Sequence, residues 1–157
     1  MKIHQQIRNL HAVNSERYER LKDEVYQILK PKVEAEGWFF IGRIKELVSF
    51  ALKIETGRVS DPATPDDFFA CTIIVPTLNH VAEAEELVFT LFDSSLRRPT
   101  ADSYTHKKSS EFVFDDLRVY VKRRATSSGR NSDLDGILFE IQIKTVLQHA
   151  WSIATQS

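Results

Sequence analysis

The sequence predicts a mixed α/β (α+β) protein in which a mixed sheet is flanked by helices, and three observations predict it. Apolar residues recur at helical spacing over residues 3–35, through Ile3, Ile7, Leu10 and Val13 and then Tyr18, Leu21, Val25, Ile28 and Leu29. The runs Phe68–Val75 and Ile137–Lys144 have the continuous or alternating apolar character of strands. Along the chain the apolar period changes repeatedly, giving the order α, β, α, β, α, β, β, α.

The long first segment either forms one helix or breaks at Asn14-Ser15, which could cap a second helix with Glu19 near the capping-box position. Pro31 either closes that helix or begins a short extra turn, and Gly37 leads into the aromatic strand Trp38–Ile41. Leu47, Val48, Ala51 and Leu52 suit a helix over 45–56 that stops at Gly57. A proline-containing loop, 61–66, precedes the strand Phe68–Val75, which Pro76 ends. Asn79 is placed to cap an acidic amphipathic helix through Asp93, with Val81, Ala84, Leu87, Val88 and Leu91 on one face. Residues 97–110 lack a period and read as a loop, 112–124 as a strand, and 126–136 as a long hairpin connection. The returning strand Ile137–Lys144 enters a helix over Thr145–Ala154 that runs off the end of the chain, leaving open whether a longer C-terminal region belongs to it.

At 157 residues the chain is one domain's length, expected as an N-terminal helical segment, 1–36, and a core, 37–157. A hydrophobic fraction of 42% excludes a disordered chain. The net charge of −1 gives no overall nucleic-acid signal, although a local basic cluster is compatible with it. The lone cysteine, Cys71, rules out an internal disulfide and reads as a small buried core residue, with a reactive thiol as the alternative. No apolar run approaches the roughly 20 residues of a membrane span, and no signal-peptide core opens the chain, so a cytoplasmic protein is expected.

Two places carry chemistry. Arg43 and Lys45 are two apart and share a face if extended, whereas Ser49 and Lys53 are four apart and share a face of the following helix. That helix's N-terminus offers unpaired N–H groups, so the junction suits a phosphate; a solvated basic helix face is the plainer alternative. Downstream, Glu140, Gln142 and Lys144 alternate with Ile141 and Ile143, which turns the polar set to one open face. Asp67 begins the most apolar strand. One carboxylate from each of two strands is a usual way to hold Mg²⁺, against a loop-capping Asp67 and a surface Glu140. Asp116, Arg118 and Tyr120 would share a face on the strand that can pair with that of Glu140, with surface cross-strand ion pairs as the alternative. Trp151 reads as packed, His149 is undecided, and His4, His11, His80 and His106 lack metal-ligand spacing, so zinc is not expected.

These residues resemble the RelA/SpoT alarmone synthetase family. Its Arg-x-Lys-x-x-x-Ser-x-x-x-Lys run is matched by Arg43, Lys45, Ser49 and Lys53. Its Asp-x-x-Gly/Ala strand opening is matched by Asp67 and Ala70, and its Glu-x-Gln-x-Arg/Lys-Thr strand by Glu140, Gln142, Lys144 and Thr145, with Trp151 following. The resemblance spans residues 37–152 and implies a nucleotidyltransferase-like fold that moves pyrophosphate from ATP to the 3′-hydroxyl of GDP or GTP. It implies Arg43, Lys45 and Lys53 on the ATP phosphates with Ser49 close by. Mg²⁺ would be held by Asp67 and Glu140, with Glu140 helping to activate the hydroxyl, and the acceptor would lie against Phe114, Arg118, Gln142 and Lys144.

The chain departs from the family pattern in three places. Thr72 replaces an arginine, and Thr155-Gln156 stand where Glu-His often follows the tryptophan. The family's Gly-Tyr-Arg-Ser-Leu-His segment, whose tyrosine stacks on guanine, aligns with Val113–Arg118, placing Phe114 at the tyrosine and Arg118 at the histidine. The donor half is thus matched and the acceptor half altered. Beside alarmone synthesis stand two alternatives: a toxin-like pyrophosphokinase acting on the tRNA 3′ end, and a non-catalytic nucleotide-binding regulatory module. Lys107, Lys108, Lys122, Arg123, Arg124 and Arg130 could serve RNA phosphates if they converge. A homo-oligomer or a regulatory protein partner is compatible with any of these readings.

Overall fold

The computed structural model describes residues 3–44, 69–98, 117–124 and 132–155. The first helix, α1 (Gln5–Ala35), is unbroken. Asn14 continues the buried stripe of Tyr18, Leu21, Val25, Leu29 and Val33 at helical spacing, so packing overrides the capping preference of Asn-Ser. Pro31 lies within the helix on its exposed side, so it neither closes the helix nor begins a separate turn. The helix ends in a Schellman turn: Gly37, at φ +80°, donates to the carbonyl of Glu34 (2.9 Å), and Trp38 donates to that of Val33 (3.2 Å).

Five strands form one sheet: β1 (Phe39–Ile44), β2 (Phe69–Val75), β3 (Phe92–Arg98), β4 (Leu117–Arg123) and β5 (Phe139–Thr145). Their spatial order is β1-β2-β5-β4-β3, with β2 and β5 parallel and the other pairs antiparallel. The sheet is therefore mixed, as expected. Helix α2 (Leu78–Leu91) follows β2, and α3 (Val146–Ala154) follows β5. One face of the sheet presents Phe69, Cys71, Ile73, Val119, Phe139 and Ile141 to α1 and α2, all fully buried. Cys71 is a core residue whose thiol pKa burial pushes up, so it stays protonated and unreactive.

Three local expectations are corrected. Thr77, extended at φ −139° and ψ 167°, is the residue before α2, and Asn79 lies inside the helix. Thr77 Oγ1 meets His80 Nδ1 at 2.8 Å instead of a backbone N–H. Helix α2 stops at Leu91, and the chain passes directly into β3, so Phe92 and Asp93 are strand residues. Arg97 and Arg98, expected in a loop, complete that strand. Asp-Ser-Ser-Leu-Arg-Arg has neither β propensity nor alternation, and an irregularity between Ser94 and Leu96 breaks its register, so it pairs because β4 offers a partner. The expected helix 45–56 lies outside the described residues.

Ion pairs fasten α1 to β4 and to the segment 132–135. The Arg123 side chain, only 4% exposed, donates through Nη1 to both oxygens of Glu24 (2.9 and 2.7 Å) and through Nε to Asp135 Oδ1 (2.9 Å). Burial works against its charge, but the two carboxylates outweigh burial and raise its pKa. One turn away, Arg20 bonds both oxygens of Asp133 (3.0 and 2.5 Å) and Glu16 Oε1 (2.8 Å). The Arg20 guanidinium holds the Asp133 carboxyl below its ordinary range.

Candidate active site

Side chains alternate across a strand, so the residues between the core-facing ones all project from the opposite face of the sheet. Register then aligns them in rows. Arg43 of β1 lies opposite Ala70 of β2, Ala70 opposite Glu140 of β5, and Glu140 opposite Tyr120 of β4. The next row runs Ile41, Thr72, Gln142, Arg118. A third pairs Ile74 with Lys144. The methyl group of Ala70 is the whole side chain between Arg43 and Glu140, whose backbones are two strand spacings, about 10 Å, apart.

Within this face Glu140 is buried (4% exposed), and its Oε1 accepts a 2.6 Å hydrogen bond from Gln142 Nε2. That bond fixes the carboxylate along the strand direction. Lys144 is also buried, its Nζ 3.4 Å from Ser152 Oγ on α3. Thr145 ends the strand and starts the helix: its Oγ1 accepts from Gln148 N (3.1 Å), while Gln148 Oε1 accepts from Thr145 N (2.7 Å). This reciprocal capping box sets where β5 stops, and hence where Lys144 points. Arg43 and Arg118 are exposed, on strands to either side of the β2–β5 pair.

Of the expected site residues, the structure brings Arg43, Glu140, Gln142, Lys144 and Arg118 onto this one face. Lys45, Ser49, Lys53, Asp67 and Phe114 lie outside the described residues. Tyr120, 6% exposed and directly opposite Glu140, was not among the expected site residues. The alternation Arg118-Val119-Tyr120-Val121 carried the signal, but only the register says which residue it faces. Trp151, expected to be packed, is 50% exposed. Arg123 leaves the expected set of RNA-facing cations: it points into the α1 side and is engaged by Glu24 and Asp135, whereas Lys122 alternates to the other face.

No group of three His, Cys, Asp or Glu side chains suited to a metal occurs among the described residues. Mg²⁺ needs only one or two protein carboxylates when substrate phosphates complete its shell, so Glu140, held by Gln142 on the face that also carries Arg43, Lys144 and Arg118, fits that ion. A shallow hollow lined by Pro76, Thr77, Leu78, Thr145 and Leu147 lies at the other end of β5, next to Lys144 in the chain and some five residues or about 16 Å from Glu140. No helix among the described residues is long and apolar enough to cross a membrane.

Comparison with known proteins bears on the fold and the family. The family described as a region found in RelA / SpoT proteins matches residues 42–156. No curated protein matches the chain. Small alarmone synthetase 1 from Bacillus subtilis, in a crystal structure bound to its product pppGpp, superposes with a TM-score of 0.64 at 21% identity. The match covers 96% of this chain and 79% of that one. A GTP pyrophosphokinase family protein from Streptococcus pneumoniae gives 0.60 at 21% identity over 87% and 68% of the two chains. Small alarmone synthetase 2 from B. subtilis gives 0.61 at 15% identity over 94% and 76%. The mixed sheet with its flanking helices is the fold of these synthetases, and the matched span begins at Gly42, one residue before Arg43, and takes in the Glu140 strand; the chain belongs to the RelA/SpoT family.

Proposed function

We propose that this protein transfers pyrophosphate from ATP to the 3′-hydroxyl of GDP or GTP, in a Mg²⁺-dependent reaction. The observation that supports it is the row Arg43–Ala70–Glu140–Tyr120, which sets a cation and a buried carboxylate on one face of the sheet with only the Ala70 methyl between them. Family membership and a shared fold with synthetases described bound to pppGpp and to AMPCPP support a nucleotide as the ligand of that face.

In this reading Arg43 holds the ATP phosphates together with Lys45 and Lys53, with Ser49 close by. Glu140 and Asp67 hold Mg²⁺, which when bound neutralises charge on the phosphates. Arg118, Gln142, Lys144 and Phe114 bind the acceptor. The acceptor's 3′-oxygen attacks the β-phosphorus of ATP. The bond from that phosphorus to the α–β bridging oxygen breaks, and AMP leaves with the electron pair. Glu140 receives the hydroxyl proton in this reading. Little covalent work falls to the protein, so positioning and charge dominate the rate.

The test is an assay in Mg²⁺ with ATP labelled in its terminal phosphate, run separately with GDP, GTP and bulk tRNA. Label in a guanosine nucleotide supports the proposal, and label on tRNA moves the acceptor. Bound ATP without any transfer points to a regulatory module. The Glu140→Gln variant, which removes the charge and keeps the shape, is expected to lose transfer while unfolding at the wild-type temperature. Unchanged activity in that variant would take Glu140 out of the site.

A further inference from the structure

The face of β1 opposite Arg43 carries a second, quieter fit. Gly42 points toward α1, and the space a side chain would fill there is taken by Tyr26. A Cβ on Gly42 would overlap the phenol oxygen and come within 2.6 Å of Cε1 and 2.9 Å of Cζ. The ring is fixed from several directions. Phe40, on the same face of β1, meets it edge-on with centroids 5.1 Å apart at 83°. Lys22 and Lys30, one helical turn to either side along α1, bring their Nζ atoms to 5.4 and 5.9 Å from its centroid.

Among the described residues β1 is an edge strand, paired only with β2, so its tilt depends on what packs against its covered face. Consecutive residues point to opposite faces, and whatever sets the height of Gly42 over α1 sets the height of Arg43 over the sheet. We propose that Tyr26 is a positioning residue for the nucleotide site: its phenol, seated where Gly42 has no side chain, fixes the inclination of β1 and so places Arg43 relative to Glu140. The inference rests on the proposed role of Arg43 in holding ATP. Tyr26 itself touches no substrate and acts only through the strand.

The experiment compares wild type with Gly42→Ala, Tyr26→Leu and the double variant carrying both changes. ATP affinity is measured by calorimetry in Mg²⁺, the KM for ATP and kcat are measured separately, and thermal unfolding serves as the folding control. Gly42→Ala is expected to raise the ATP KM about tenfold with kcat at saturating ATP within roughly threefold of wild type, since a tilted strand displaces a binding cation. Tyr26→Leu, which keeps an apolar filler, is expected to weaken ATP several-fold and keeps the question answerable if Gly42→Ala does not fold. The double variant makes room for the new methyl and is expected to bind ATP more tightly than Gly42→Ala. Because the two residues touch, folding stability is expected to recover as well; what marks a positioning role is that the KM for ATP shifts and recovers among variants that are fully folded at the assay temperature, which a merely structural role would not move. Gly42→Ala or Tyr26→Leu folding with wild-type ATP affinity overturns the inference and leaves the proposed function standing. A wild type that binds no ATP overturns both.

Discussion

Thr145 shows how one residue can serve a motif without meeting a ligand. It ends the Glu-x-Gln-x-Lys-Thr strand, and its hydroxyl and backbone are both consumed by the capping box with Gln148. A helix begun this way has its first orphan donor satisfied, and the turn that follows Lys144 is fixed. Thr145→Ala is therefore expected to cost about 1 kcal/mol, the usual worth of an N-cap side chain, read as a lowered urea midpoint with an unchanged slope. Thr145→Ser, which keeps the acceptor, should restore most of it. An equal loss in both variants would mean that the methyl group and not the hydroxyl matters there.

Between elements, the charged contacts of α1 do what apolar packing cannot, because they select particular partners on the segment 132–135. Asp133 gives this a pH signature. Hydrogen bonding from Arg20 lowers its folded pKa below the unfolded value of about 3.9, so near and below that pH the unfolded chain binds more protons. Its contribution is present above the unfolded pKa and is lost as pH falls through the folded one. The stability advantage of wild type over Asp133→Asn, followed by urea unfolding, is expected to be largest near neutrality and to shrink on acidification. A constant difference down to pH 3 would remove the Arg20–Asp133 pair from the account.

At this scale one also sees what the sequence discloses. Helix α1 and strands β2, β4 and β5 were legible because each repeats apolar residues at the period of its own structure. Strand β3 was not, since Ser94, Arg97 and Arg98 carry no such period and pair only because β4 lies beside them. The face holding Glu140, Gln142 and Arg118 was legible from alternation alone. Its rows were not: the parallel register of β2 with β5 joins residues about seventy positions apart, which no local pattern encodes.

Across the whole molecule the sheet order separates the two ends of the proposed reaction. Arg43 on β1 and Arg118 on β4 are three strand spacings, about 14 Å, apart, with β2 and β5 between them. Sites that distant with no shared partner usually act independently, so the losses in kcat/KM from Arg43→Ala and Arg118→Ala should add to within about 0.5 kcal/mol in the double variant. Arg43→Ala should act on the KM for ATP and Arg118→Ala on that for the acceptor. Strong non-additivity would place both guanidinium groups on one phosphate chain. The helix behind them ties these distant strands together, with Tyr26 against β1 and Glu24 on Arg123 of β4. Yet α1 precedes the span by which the family is identified, 42–156. A fragment trimmed to that span would keep α2 but lose α1, and with it the cover over β1 and part of the sheet's core face, leaving apolar surface to water. The smallest piece worth expressing thus starts at residue 5 or earlier, well ahead of the recognisable signature.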